Sequence, residues 1–329
     1  MTELDALRGV ALLQRGAEDL VAVARGTTGT SPDTDCSLAT RFQIASVTKQ
    51  FTAAAVLLLA DRGLLSVNDP ISRWLDNCPV AWDPITVHHL LSNSAGLVHW
   101  PGLPELDVTR PVATSEKLRA FAAAPLLSPP GERYSYSSPG YVLLAHILER
   151  ATGLPYGAFL AQEIFEPLNM AATFNGMPSG QPSLAVGCQD GAAVPSFALE
   201  TLGLGTGSIW STVGDLARWD RALAAGEILS EAARRAMRTV HVPVEDDDGL
   251  IHTQGYGYGW FIGSAAGHRV AYHPGDNPGF RTINAWFPDD GVRLAVLSNE
   301  GTARLDPIVH DLIRTAFPAS PSVAPEGWR

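Results

Sequence analysis

The chain has 329 residues, 46% hydrophobic and 17% charged, which bounds it to an ordinary globular protein: one large domain or two packed lobes with ample core. Its 34 acidic against 23 basic residues give a net charge of −11, which argues against nucleic acid or an anionic membrane as a partner. No apolar run reaches the ~18 residues of a membrane span, and residues 1–8 lack the basic flank and apolar stretch of a leader. Three scattered cysteines, Cys36, Cys78 and Cys188, suggest neither a disulfide framework nor a zinc site, so the sequence reads as cytoplasmic.

Two extended pieces, 9–13 and 20–24, flank a turn at 14–17 and predict a hairpin. A loop rich in Gly, Thr, Ser, Pro and Asp covers 26–35. The most apolar stretch, 47–62, spaces Phe51, Ala54, Ala55, Leu58 and Leu59 for a buried helix that Gly63 would stop. Asp69-Pro70 predicts an N-cap followed by proline at the first helical position. From there to about residue 225 the pattern is mainly helical, broken by proline-rich loops at 100–104 and 128–131, with helices over 140–151 and 156–165. Thr212 and Asp215 read as a capping box ahead of a helix over 216–224. The acidic run Glu245-Asp246-Asp247-Asp248 predicts a solvated loop. Beyond it the periodicity changes. Residues 256–263, 269–273, 282–288 and 293–298 are short, aromatic and β-branched, and predict antiparallel strands. A last helix is expected over 303–317, with a loose tail from 318. Strands at both ends with helices between imply an α+β chain. Residues 1–66 and 240–329 would form an α/β sandwich lobe around an antiparallel sheet, 67–239 an all-helical lobe, with the active site at their junction.

Only two lysines, Lys49 and Lys117, stand among the 23 basic residues. Arginine stays charged at any working pH, whereas burial or a neighbouring cation can strip lysine of its proton. Lys49 follows Ser46 by three positions, so the two share a helix face with side-chain roots about 5–6 Å apart. A serine hydroxyl attacks poorly unless a base takes its proton, and a helix start favours developing negative charge. Two further strings fit such chemistry. Tyr136 lies on a loop braced by Pro130-Gly131 and Gly140, and a phenol beside an amine can relay a proton. His273-Pro274-Gly275-Asp276 ends a predicted strand, where glycine would admit substrate to the strand edge and the next backbone N–H could serve an oxyanion.

Ser46-Val47-Thr48-Lys49, Tyr136-Ser137-Ser138 and His273-Pro274-Gly275, in this order, resemble the three-motif set of the serine β-lactamase-like hydrolases, a family with the β-lactamase/transpeptidase-like fold. It includes class C β-lactamases, D-alanyl-D-alanine carboxypeptidases, D-amino acid amidases, esterases and acyltransferases. The strings 85–97, 205–212 and 257–260 are also similar to it, and the likeness covers about residues 9–317. The resemblance implies that Ser46 is acylated, Lys49 is the base and Tyr136 shuttles the proton to the leaving group. It implies that His273 hydrogen-bonds near Tyr136 to position it, and that the Ser46 and Asp276 backbone N–H groups form the oxyanion hole. Gly275 and Ser138 would contact substrate.

Two departures bear on the substrate. The second motif ends in Ser138 where the family usually has asparagine, and a hydroxyl cannot make that amide's two-ended grip. The third begins with His273 in place of lysine, removing a fixed charge that would attract a β-lactam carboxylate. The expectation is therefore a hydrolase of small esters or D-amino-acid-type amides and peptides, with acyl transfer as a variation and no cofactor. A weak β-lactamase or penicillin-binding carboxypeptidase is the rival, and a non-catalytic binding or scaffold member is a rival of another class. His88, His89 and His99 lack metal-ligand spacing and are not assigned to a metal. Asp276, an acid beside the oxyanion position, is expected to turn outward or to bind a cationic substrate group. Loops 100–110 and 176–202 are expected to shape the acyl pocket.

Overall fold

Residues from both ends of the chain meet in one sheet. The computed structural model describes residues 3–30, 32–106, 112–178, 180–194, 203–247 and 250–318. In chain order its regular elements are β1 (Gly9–Arg15), β2 (Glu18–Arg25), β3 (Phe42–Gln43), α1 (Thr48–Asp61), α2 (Val87–Leu91), α3 (Thr114–Ala123), α4 (Ser138–Thr152) and α5 (Tyr156–Leu160). They continue with β4 (Phe174–Asn175), β5 (Cys188–Gln189), β6 (Ala192–Ala193), β7 (Ile209–Ser211), α6 (Val213–Ala225) and α7 (Glu231–Met237). The last are β8 (Val242–Asp247), β9 (Ile251–Tyr256), β10 (Phe261–Ala265), β11 (His268–Asn277), β12 (Phe280–Phe287), β13 (Val292–Ser298) and α8 (Asp306–Ala316). The main sheet runs β2-β1-β13-β12-β11-β10-β9-β8, antiparallel throughout, with Gly9 opposite Ser298. A small sheet, β3-β7-β4, stands beside it. The fold is α+β.

Successive residues of the central strands face opposite sides, and both sides are covered. Val10, Leu12, Ala295 and Leu297 join the large core shared with α1, α4 and α6. Ala11, Leu13, Leu294 and Val296 pack instead with Ile308, Val309 and Leu312 of α8. A sheet buried on both faces explains why residues 294–297 of β13 are a continuous apolar run rather than an alternating one. α1 is likewise buried on every side from Thr48 to Leu59, as a helix through the middle of a core must be. Gly63 follows its end with φ +69°, a left-handed turn that glycine adopts without strain. Behind α1 lies a polar cluster: Asn284 Nδ2 donates to Gln50 Oε1 at 3.2 Å and to Asp220 Oδ1 at 3.0 Å, all fully buried.

Several expectations are corrected. Asp69 caps no helix: Pro70 is extended, a single 3₁₀ turn (Ile71–Arg73) follows, and the Asp69 carboxylate accepts from Ser66 N–H, Arg73 and Trp74. The capping box of α6 is half formed. Thr212 accepts from Asp215 N–H, but the Asp215 carboxylate turns away to Ala172 N–H and Thr173 Oγ1. The strand expected over 256–263 is two strands joined by a Gly-rich turn. A Cβ at Gly259 would come 2.6 Å from Lys49 O, so this turn presses on the α1 backbone as only glycine can. The acidic run belongs to β8, a sheet edge where charged residues are common, while Asp248 and the tail beyond 318 lie outside the described residues. Among the described residues no helix is long and apolar enough to cross a membrane.

Candidate active site

Ser46 sits in a 3₁₀ turn (Ala45–Val47) that opens α1. The approach is fixed on both sides: Ile44 N–H donates to Ile209 O at 2.9 Å, and Thr282 Oγ1 donates to Ile44 O at 2.9 Å. Ala45 then takes φ +49°, a left-handed conformation costing an alanine roughly 1–2 kcal/mol. Strain of this kind persists only where the surroundings over-determine it. Gly275 is part of those surroundings. A Cβ there would stand 2.1 Å from Thr282 Oγ1 and 2.6 Å from Ile44 O, so the missing side chain lets β11 press against the Ser46 segment, and Gly275 also lines the cleft.

Ser46 Oγ lies 3.0 Å from Lys49 Nζ and accepts the Tyr136 phenol at 2.8 Å. Lys49 is fully buried, and its other partners are Ser138 Oγ at 3.2 Å, Thr206 O at 3.1 Å and Thr206 Oγ1 at 2.6 Å, all uncharged. Burial holds its pKa well below the ordinary 10.5. A neutral amine has two N–H donors and one lone pair. The Thr206 carbonyl and one hydroxyl can take the donors, leaving the lone pair for the Ser46 proton. Burial pushes the Tyr136 phenol the other way, up to about 12, with hydrogen bonds to Ser46 and Ser138 opposing and the Asp276 charge adding. Tyr136 therefore rests as a phenol.

His273 is buried beside Tyr136, ring centres 6.2 Å apart, and makes its hydrogen bonds to neighbouring groups. Its Nδ1 is 2.6 Å from Pro274 O and must carry the proton, so Nε2 accepts from the Tyr256 hydroxyl at 3.1 Å. Burial and the nearby Lys49 lower its pKa to about 3. Ser138 opens α4 with its hydroxyl turned to Lys49. Asp276 turns outward on β11 and is ion-paired with Arg281. β10 pairs with β11 only from His268 to Tyr272, so among the described residues the edge from His273 to Asn277 has no strand on that side. Asn277 anchors this free end, donating to Gln43 Oε1 at 2.8 Å and Gly207 O at 3.1 Å.

Sequence reasoning missed His99. Its Nδ1 accepts the Ser138 N–H at 3.2 Å, and its ring meets Tyr136 edge-on at 5.1 Å between centres. Burial, with Lys49 second, lowers its pKa to about 4. Thr206 and Asn93 were quoted in strings but given no task; Asn93 Oδ1 accepts the Ser137 N–H at 3.0 Å and so holds the Tyr136 loop. A lone histidine 37 positions ahead of its phenol carries no periodic signal. His88 and His89 are engaged elsewhere, with the Tyr258 hydroxyl and the Thr86 N–H. Ser46, His99, Tyr136, Ser138, Thr206 and His273 line a cleft of about 1040 Å³ that includes Trp100, while 107–110, 179 and 195–202 of the expected pocket loops lie outside the described residues.

A profile of the family described as Beta-lactamase matches residues 1–316. The chain belongs to the Beta-lactamase family. It is 30% identical over 281 residues to a penicillin-binding protein of Bacillus subtilis (strain 168), covering 79% of this chain and 60% of that one. With the esterase EstB of Burkholderia gladioli it shares 34% identity over 203 residues, 56% of this chain and 51% of the esterase. The chain thus spans between half and two thirds of these relatives' lengths. The crystal structure of a penicillin-binding protein from Bacillus halodurans superposes with a TM-score of 0.81 at 26% identity, covering 94% of this chain and 98% of that one. A D-stereospecific amidohydrolase from Streptomyces sp. gives 0.78 at 25%, covering 95% and 94%.

Proposed function

We propose that the protein is a serine hydrolase that forms a covalent acyl-enzyme on Ser46 and acts on small esters or D-amino-acid-type amides. The observation carrying this is the convergence on one hydroxyl of a buried, uncharged-partnered amine at 3.0 Å and a phenol at 2.8 Å. In this reading Ser46 Oγ attacks the carbonyl carbon as its proton passes to Lys49 Nζ. The tetrahedral oxyanion is held by the Ser46 and Asp276 backbone N–H groups. The leaving group departs with a proton delivered through the Tyr136 hydroxyl, which Lys49 replenishes. Water then adds to the ester carbonyl, its proton returning by the same pair, and Ser46 is released with the free acid. An amine or alcohol replacing that water gives acyl transfer. His273 and His99 act as positioning residues, through Tyr256 and Ser138. The division into a lobe of 1–66 and 240–329 and a lobe of 67–239, with the cleft between, belongs to the same proposal. The penicillin-binding protein and esterase among the relatives are consistent with it.

The test is intact-protein mass spectrometry after a fluorophosphonate and, separately, a penicillin, on wild type and Ser46→Ala. A fluorophosphonate adduct on wild type alone is expected. A stable penicillin adduct as well would favour the penicillin-binding branch, and no adduct with either reagent would refute the assembled nucleophile.

A further inference from the structure

The cleft is chemically lopsided. From Tyr136, which touches Ser46, aromatic rings follow one another along a single wall. His273 lies 6.2 Å from Tyr136, Phe261 lies 5.3 Å from His273, and Tyr134 and Tyr272 lie 6.2 and 5.5 Å from Phe261, centre to centre. Tyr134, Phe261 and Tyr272 are only partly buried and line the cleft, so they leave ring surface facing it. Such surface gains most from covering by another apolar or aromatic group. The charged residues lining the cleft include Asp276, Arg281, Arg304 and Asp306. The Asp276–Arg281 pair sits four residues along β11 from Tyr272, about 13 Å at the rise of a strand. Arg304 and Asp306 lie in the segment entering α8. Near Ser46, the ionisable groups Lys49, Tyr136, His99 and His273 are all held in their uncharged forms by burial. Among the described residues, a charged substituent brought against Tyr134 and Phe261 would lose water and meet uncharged rings.

We infer that the ring wall of Tyr134, Phe261 and Tyr272 makes this site selective for acyl groups bearing an uncharged aromatic ring, and that it selects against an α-ammonium on the same acyl group. This rests on the hydrolase reading above and divides its two substrate classes: neutral aryl-acyl esters are favoured, free D-amino acid derivatives disfavoured. It also accounts for Asp276. Held by Arg281, that carboxylate does not serve as the partner of a substrate ammonium.

The experiment compares p-nitrophenyl esters of acetic acid, 3-phenylpropanoic acid and D-phenylalanine, each rate normalised to its hydroxide-catalysed hydrolysis. For wild type, kcat/KM for phenylpropanoate should exceed that for acetate by about 30-fold, the scale of a buried ring. It should exceed that for the ammonium-bearing ester by about tenfold or more. Phe261→Ala should cut the phenylpropanoate-to-acetate ratio about tenfold, and the volume-conserving Phe261→Leu, which guards against loss of fold, should fall between. A ratio near one in wild type, a ratio unmoved by both variants, or a preference for the ammonium ester would overturn the inference alone. No Ser46-dependent turnover of any ester would overturn the hydrolase reading and this inference together.

Discussion

Replacing Asp220 by asparagine should stabilise the protein in a pH-dependent way. Asp220 is fully buried on α6; Oδ1 accepts from Asn284, while Oδ2, Asn284 Oδ1 and Gln50 Nε2 have no hydrogen-bond partner among the described residues. Burial raises the carboxyl from 3.8 to about 7, against the Asn284 hydrogen bond and the charges of Arg293 and Arg221. The folded pKa is raised, so the protonated carboxyl's contribution is complete below the unfolded value and is lost as pH rises through the folded one. The three-unit shift corresponds to about 4 kcal/mol above pH 7 as an upper bound, and relaxation around the charge brings it toward ~2–3. Asparagine never ionises, keeps an acceptor for Asn284 Nδ2 and places an N–H where the carboxylate has an unused lone pair. In urea melts the variant should gain nothing at about pH 4, and its advantage should grow by ~2–3 kcal/mol between about pH 4 and pH 7 and level off above, at constant m. A pH-independent difference, or a variant less stable at the alkaline end, would mean that attraction between Asp220 and Arg293 outweighs desolvation, and the reasoning would fail.

Lys49→Arg keeps a permanent charge where the proposed chemistry needs a lone pair, so kcat should fall about 10³-fold with the fold retained by circular dichroism; near wild-type turnover would exclude Lys49 as base. For wild type, kcat/KM should rise with pH as Lys49 loses its proton, with a midpoint well below 10.5; a rise only near that value would contradict the buried neutral amine. Tyr136→Phe should lower kcat roughly 10²–10³-fold yet leave the fluorophosphonate adduct on Ser46, since that leaving group needs little protonation; loss of labelling would instead place Tyr136 upstream of attack. Gly275→Ala forces a methyl against Thr282 Oγ1 and Ile44 O, so both Tm and kcat/KM should drop, the latter at least tenfold; an unchanged Tm would show that β11 can back away at no cost.

What the sequence disclosed depended on whether a residue's task was local. β1, β2, β11, β12 and β13 announced themselves through β-branched and aromatic runs between glycines, and α1 through its length and apolarity. The Ser46–Lys49 pair was legible because one helical turn fixes its spacing, and 3.0 Å is what that turn delivers. The Tyr136 contact needed 90 residues of intervening chain, and only the family resemblance supplied it. His99 had no such support, and Thr206 and Asn93 lay in strings that resemble the family without a task attached: each acts through hydrogen bonds made by folding, and none sits at a spacing that foretells it. β8 and the turn at Gly257–Gly259 were misread for a related reason. An edge strand tolerates acidic residues, and a turn between two aromatic strands resembles a strand until the pressure of α1 on Gly259 is known.

The pairing of β1 with β13 has a consequence in time. The sheet cannot close until Ser298 reaches Gly9, so many of its contacts are distant in sequence and its folding should be slow for its size. During synthesis Ser46 and Lys49 emerge long before β11 and β12, which later press on the Ala45–Val47 turn. Until then Lys49 is hydrated and cationic, and Ser46 is an ordinary alcohol. In the proposed mechanism the amine becomes a base only when the last strands shut water out, so a nascent or misassembled chain would carry the Ser46–Lys49 sequence without the proposed reactivity.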